Sequence, residues 1–356
     1  MVDCKHNNFD FPKVELHCHL DGCFRISTVI ELARHRQIKL PTYDPKELAD
    51  NYCITSRKKN LHEFLLMFRT FTPIFAGSGE AIARMTREAV EDKAKQGIRY
   101  IEFRYSPHLL ADRDVKSIAH CSETGHISPR EVVEVVCEAG RQAQKDFNIE
   151  VRFILCCILA HPDWSMEIAQ FCKEFSDRGV VAIDIAGTGH EGGIPIDLHQ
   201  KAFQFCKDNA IHITAHAGEA GPAEEVRKAI NTLFATRIGH GYHVLDDEDV
   251  YTEAREKDIH FEVCPLSSYL TASVNPDMTV HPAKRFMVDK VNFSLSSDDP
   301  GMMNTTLLKD YSVARTDFGF TDDEIKVLNL NALRSAFCDD EVKQRLLKEF
   351  EETATI

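Results

Sequence analysis

Short apolar runs rich in Val, Ile and Phe alternate along the chain with longer amphipathic stretches, the pattern of βαβ units feeding a parallel sheet. Eight strands are predicted: Val14–Leu20, Arg99–Tyr105, Val151–Ile158, Val180–Ile185, Ile211–Ala215, Arg237–Gly239, His260–Cys264 and Val291–Ser296. The sixth is the weakest, with only Ile238 clearly apolar. Between them, Ser78 to Gln96 reads as a helix that puts Ile82, Met85, Ala89 and Lys93 on one side, apolar until its last turn. Ser128-Pro129-Arg130-Glu131 and Thr321-Asp322-Asp323-Glu324 carry helix-start chemistry, a hydroxyl at the N-cap and a Glu returning to it. Asn60 to Phe75 is amphipathic and rich in Phe. Eight strands with helical crossovers can close into a barrel or lie as an open doubly wound sheet, and the strand count alone does not choose. The sequence has no low-complexity linker and no fixed-period repeat. The helical segments Ile26–Ile98 and beyond Pro300 therefore read as insertions on one domain spanning 1–356.

Composition narrows the class. At 356 residues and 43% hydrophobic, the chain is long enough for a sizeable core. A formal net charge of −14 argues against nucleic acid or an anionic membrane as the main partner. The 12 cysteines are scattered without a CxxC pair, and Cys156-Cys157 sit in an apolar run, so they read as reduced thiols of a cytoplasmic protein. Met1 to Phe11 lacks the apolar stretch of a signal peptide, and no apolar run approaches the ~18 residues of a membrane span.

Candidate chemistry gathers at the carboxyl ends of the predicted strands, where barrels and open α/β sheets both place their sites. The first ends in His17-Cys18-His19, whose alternation puts two imidazoles on one face. The fifth runs into His216-Ala217-Gly218-Glu219, the sixth into Gly239-His240-Gly241, and the eighth into Ser297-Asp298-Asp299-Pro300. Each alone is a bland polar turn or cap; four together point to a metallohydrolase. Three imidazoles and a carboxylate suit Zn²⁺, with Fe²⁺, Ni²⁺ or Mn²⁺ as alternatives. His260-Phe261-Glu262 with Cys264-Pro265 superficially matches a nucleobase-deaminase signature, but the order is Cys-Pro and no CxxC follows, so the seventh strand is the better reading.

On these residues the chain resembles the adenosine deaminase family, vertebrate-type single-domain branch. The resemblance rests on Pro12-Lys13-Val14-Glu15-Leu16-His17-Cys18-His19-Leu20-Asp21-Gly22, Phe103-Arg104-Tyr105-Ser106-Pro107-His108, His216-Ala217-Gly218-Glu219, Arg237-Ile238-Gly239-His240-Gly241, Phe261-Glu262-Val263-Cys264-Pro265 and Ser297-Asp298-Asp299-Pro300, in order, from about Pro12 to Lys348. It implies an α/β fold, a (β/α)8 TIM barrel of the metal-dependent hydrolase type with extra helices. It implies one Zn²⁺ per chain on His17, His19, His216 and Asp298. Glu219 then resembles the group that protonates N1 of a purine, His240 the histidine beside the attacking hydroxide, and Asp299 the carboxyl that meets N7. Gly187 resembles the glycine whose N–H faces N3. Asp21, with His19 nearby, resembles the holder of the ribose hydroxyls, and Leu61, Phe64, Leu65 and Phe68 the apolar helix gating the pocket. The implied reaction is hydrolytic deamination of adenosine and 2′-deoxyadenosine, a small purine nucleoside being the partner. The segments 116–125 and 188–193 depart from the family pattern.

Three rivals compete. AMP, N6-modified-AMP and adenine deaminases share the metal motif, but Asp21 would repel a 5′-phosphate. A two-metal amidohydrolase would want a Lys at the end of the fourth strand, where Asp184-Ile185-Ala186-Gly187 stand. A binding protein with a vestigial site would have lost at least one of His17, His19, His216, Glu219, His240, Asp298 and Asp299, and none is missing.

Overall fold

A computed structural model describes residues 9–115, 125–187 and 196–354. The eight strands are β1 (Lys13–His19), β2 (Ile98–Tyr105), β3 (Glu150–Ile158), β4 (Val180–Ala186), β5 (His212–Ala217), β6 (Arg237–His240), β7 (His260–Val263) and β8 (Phe293–Leu295). They pair in chain order, every pair parallel. Parallel neighbours need a crossover between them, and the amphipathic segments supply it. The last seam closes just beyond β8, where Cys18 bridges Asp298: the His19 N–H donates to the Asp298 carbonyl at 2.8 Å and the Asp298 N–H to that of His17 at 3.2 Å. This excludes the open sheet. β8 is shorter than the predicted Val291–Ser296, chiefly at its start, where the Val291 N–H donates to the Phe286 carbonyl at the end of the preceding helix rather than to a strand.

The helix Gly79–Lys95 is capped by Ser78, whose side chain accepts from the Ala81 N–H. Its Lys93, on the otherwise apolar side, is buried and sits 2.6 Å from Glu15 and 2.9 Å from Ser297. Both predicted capping boxes are formed, at Ser128/Glu131 and Thr321/Glu324. The Phe-rich stretch is two helices, Leu61–Leu66 and Phe68–Phe75, broken at Met67. Phe71 and Phe75 enter the core, Phe71 stacking on Phe24.

The barrel interior is charged as well as apolar. Arg237 of β6 bonds Glu102 of β2 at 2.6 Å and Glu262 of β7 at 2.7 Å. Arg104 of β2 bonds Glu262 at 2.6 Å and Asp184 of β4 at 3.0 Å. Residues from β2, β4, β6 and β7 can meet in this way only across the barrel's inside. Both arginines are fully buried, so each carboxylate is matched by a cation rather than by water. The far end is plugged by Leu333, Leu346 and Phe350 against Val14, Leu16 and Tyr100.

Candidate active site

A cavity of about 670 Å³ opens at the carboxyl ends of the strands, within the size range of small-molecule sites. His19, Asp21, Leu61, Phe64, Leu65, Phe68, Gly187, His216, Glu219, His240, Asp298 and Asp299 all line it. Of the site residues expected from sequence only His17 is absent from that wall; it is fully buried and its ring lies 4.6 Å from that of His216. Segments 116–124 and 188–193 fall outside the described residues.

Four donor atoms converge. His19 Nε2 is 3.1 Å from His216 Nε2, and Asp298 Oδ1 is 3.2 Å from His17 Nε2 and 3.3 Å from His19 Nε2. His17 Nε2 and Asp298 Oδ1 are buried without a hydrogen-bond partner. Atoms about 2.0–2.1 Å from one tetrahedral cation stand about 3.3–3.4 Å apart. Buried lone pairs facing one another at that spacing repel unless a cation lies between them, so the cluster fits a metal ion. His17, His216, His240 and Asp298 also offer atoms within 4.8 Å of one another, as do His19, Asp298 and Asp299. His240 Nε2, however, lies 3.9 Å from Asp298 and 3.6 Å from Glu219, beside the cluster rather than in it.

The imidazoles are aimed by the charged interior. His17 Nδ1 meets Glu262 at 2.7 Å, and His216 Nδ1 meets Asp184 at 3.0 Å, which leaves each Nε2 facing the cluster. Arg104 lies between the two carboxylates. Burial alone would raise both carboxyls, but Arg104 with Arg237 holds Glu262 well below the usual range, and His216 with Arg104 does the same for Asp184. Sequence reasoning quoted Arg104, Asp184 and Glu262 within motifs but gave them no role. Their signal was a charged residue within a strand whose neighbouring positions are apolar, as Asp184 stands between Ile183 and Ile185 and Glu262 between Phe261 and Val263. His260 and Glu262 belong to β7 as expected, and His260 is held by Asn292 at 2.7 Å and Ser294 at 2.9 Å.

Two site residues sit on left-handed backbone, His240 at φ 63° and Asp298 at φ 60°, conformations that non-glycine residues hold only when their surroundings impose them. Two glycines make room: a Cβ at Gly239 would lie 2.8 Å from the His17 ring, and one at Gly22 would lie 2.0 Å from Asp299 Oδ1.

The remaining acids are tuned apart. Burial, then the charge of Asp298, raises Glu219 to about 7. The same two causes push Asp299 well above the ordinary carboxyl range. Burial raises Asp21 to about 6. Asp298 goes the other way: burial opposes ionisation, yet the His17 imidazole, by charge and by hydrogen bond, holds it well below that range. One ionised carboxylate beside two proton-carrying ones is the arrangement for moving protons at neutral pH. Burial pushes His240 well below 6.5, which favours the neutral imidazole.

The described cysteines are all free, and no helix among the described residues is long and apolar enough to cross a membrane. The adenosine deaminase family model matches residues 12–353. An adenosine deaminase of Xenopus laevis is 46% identical over 339 residues, 95% of this chain and 94% of that protein. One of Danio rerio is 44% identical over 344 residues, 97% of this chain and 96% of that protein. Among solved structures, an amidohydrolase of Burkholderia ambifaria with bound Zn superposes with a TM-score of 0.83 at 25% identity, covering 100% of this chain and 95% of that one. The match across nearly the whole chain, joined to the barrel and its converging donors, places it: the chain belongs to the adenosine deaminase family.

Proposed function

We propose that this protein is an adenosine deaminase, a cytoplasmic one-domain enzyme holding one Zn²⁺ per chain. It converts adenosine and 2′-deoxyadenosine to inosine and 2′-deoxyinosine with release of ammonia. The observation that carries the reading is the juxtaposition of the His17, His19, His216 and Asp298 cluster, with His17 buried behind the cavity wall, and Glu219 on that wall, a carboxyl that keeps its proton to about pH 7. A bound Zn²⁺ supplies Lewis acidity that makes water nucleophilic near neutral pH.

The chain's own residues do the rest. An aromatic carbon resists attack unless the ring can take the electron pair, and Glu219 provides for this by giving its proton to N1. Neutral His240, with Asp298 beside it, accepts the proton of the attacking water at Nε2 and passes it to the C6 amino group; the C6–N bond then breaks to release ammonia, and the C6 hydroxyl returns a proton to Glu219 as the carbonyl of inosine forms. Asp299, protonated, donates to N7. The N–H of Gly187 faces N3, while Asp21 and His19 hold the ribose hydroxyls. Leu61, Phe64, Leu65 and Phe68 form the apolar gate that keeps bulk water from the protonated carboxyls. Asp21, at about 6, is mostly ionised at physiological pH and turns away a 5′-phosphate, which favours the nucleoside over AMP.

The test follows the ultraviolet change as purified protein meets adenosine, AMP or adenine, with and without a chelator. Turnover of adenosine that chelator abolishes and zinc restores is expected. Preference for AMP or adenine, or turnover indifferent to chelator, overturns the assignment.

A further inference from the structure

Glu219 has two carboxyl oxygens and must present its proton from only one of them. Oε2 lies 3.6 Å from His240 Nε2, on the cavity side. Oε1 is met by the hydroxyl of Ser273 at 3.3 Å. Ser273 lies at the end of no strand, so nothing in its sequence context marks it. It is buried, and its Oγ is 2.7 Å from Thr271 Oγ1; with the Thr271 O–H donated to it, the single Ser273 proton goes to Glu219.

The turn that carries both hydroxyls is fastened from outside. Between them, Ala272 has φ 60°, a left-handed conformation that alanine does not keep unaided. Arg57 spans the turn, donating to the Tyr269 carbonyl at 2.9 Å and to the Val274 carbonyl at 2.6 Å, with its guanidinium over the Tyr269 ring. The neighbouring Lys58 N–H donates to the Leu270 carbonyl at 2.8 Å. Such a clamp fixes the place of the two hydroxyls.

We infer that Ser273 is a positioning residue for the proton donor: its hydroxyl, seated by Thr271 and by the Arg57 clamp, occupies Oε1 of Glu219 and so confines the acidic proton to Oε2. The inference rests on the proposed role of Glu219. The Oε2–H bond breaks as the N1–H bond forms, and the electron pair left behind spreads onto Oε1, where the Ser273 O–H already donates. That contact is long before reaction and strengthens as charge develops, so it acts on the transfer more than on binding. The other charged or titratable groups facing Glu219 are Asp298, Asp299, His216, His240 and Tyr242. Ser273 adds no charge to that set, so its removal acts on Glu219 through the lost hydrogen bond alone.

The experiment uses the full zinc-loaded chain with S273A, S273T and E219Q. It measures kcat and KM for adenosine, the pH dependence of kcat, and inhibition by the adenosine analogue that carries C–H in place of N1. For S273A, kcat falls about 10–100-fold while KM stays within about threefold. Inhibition by the analogue is unchanged, because that ligand takes no proton from Glu219. The alkaline limb of kcat moves to higher pH, since the Glu219 anion has lost a donor. S273T restores most of kcat. Wild-type kcat and pH limb in S273A, or analogue binding that weakens in step with kcat, overturns the inference. E219Q separates the two readings: an active E219Q removes the acid role itself, whereas an inactive E219Q with a wild-type S273A removes only Ser273.

Discussion

Replacing Glu219 by Gln makes a sharp prediction because it pushes activity and stability in opposite directions. The amide keeps the shape of the side chain and can still accept from Ser273, so the cavity and the metal cluster stay as they are. The acid is lost. A general acid contributes on the order of 10²–10⁴-fold, and here it also supplies the electron sink, so we expect kcat to fall by about 10³-fold or more. Stability runs the other way. Raising the carboxyl from 4.5 to about 7 corresponds to about 3 kcal/mol disfavouring the anion in the folded protein. That cost is absent below pH 4.5, where both states are protonated. It grows between pH 4.5 and 7, and is constant above, because the unfolded chain gives up its proton first. Gln carries no such cost. At pH 8 the variant therefore unfolds at a higher denaturant concentration, by up to about 3 kcal/mol in free energy, and at pH 4.5 the difference shrinks to about 0.4 kcal/mol. The assays are ultraviolet turnover of adenosine, metal analysis to confirm that zinc is retained, and denaturant melts at the two pH values. Turnover near the wild-type rate, or a variant less stable at pH 8 with its zinc in place, would refute the reasoning.

Three further outcomes follow from the same geometry. Asp21→Ala raises KM for adenosine more than for a ribose-free analogue; equal effects on both remove Asp21 from ribose binding. Arg104→Met leaves Glu262 and Asp184 without their shared cation, so we expect a loss of about 3–5 kcal/mol in a denaturant melt and zinc held about 10–100-fold less tightly in chelator competition. Unchanged zinc affinity would mean the two imidazoles need no aiming from beneath. Gly22→Ala drives a methyl into the place of Asp299 Oδ1 and lowers kcat/KM by about 10²-fold; a variant with wild-type kinetics would dissociate Asp299 from the reaction.

Much of this molecule was legible in the sequence because its chemistry lies where strand ends lie. His17, His19, His216, Glu219, His240, Asp298 and Asp299 follow apolar runs whose periodicity is plain, and the barrel brings those run ends together. β6 was faint for the same reason that it matters: Arg237, Gly239 and His240 serve the interior and the site, which leaves Ile238 as its one aliphatic side chain. Closure of the barrel was not legible in the strand count, since one bridge at Cys18 and Asp298 decides it. The division of the Phe-rich stretch into two helices was hidden too, because a continuous amphipathic pattern does not reveal a break at Met67. Arg104, Asp184 and Glu262 escaped because a buried ion network is defined by partners more than 70 residues apart in the chain. Ser273 escaped because a hydroxyl on a turn has no periodicity to betray it.

The central claim is that three imidazoles and one carboxylate, far apart in sequence, hold a single zinc ion. X-ray absorption at the zinc edge, on protein carrying one ion per chain, tests it most directly. The account predicts only nitrogen and oxygen neighbours at about 2.0–2.2 Å, with the imidazole signature reduced in His216→Ala. A sulfur neighbour near 2.3 Å, or a second metal ion in the spectrum, would contradict it.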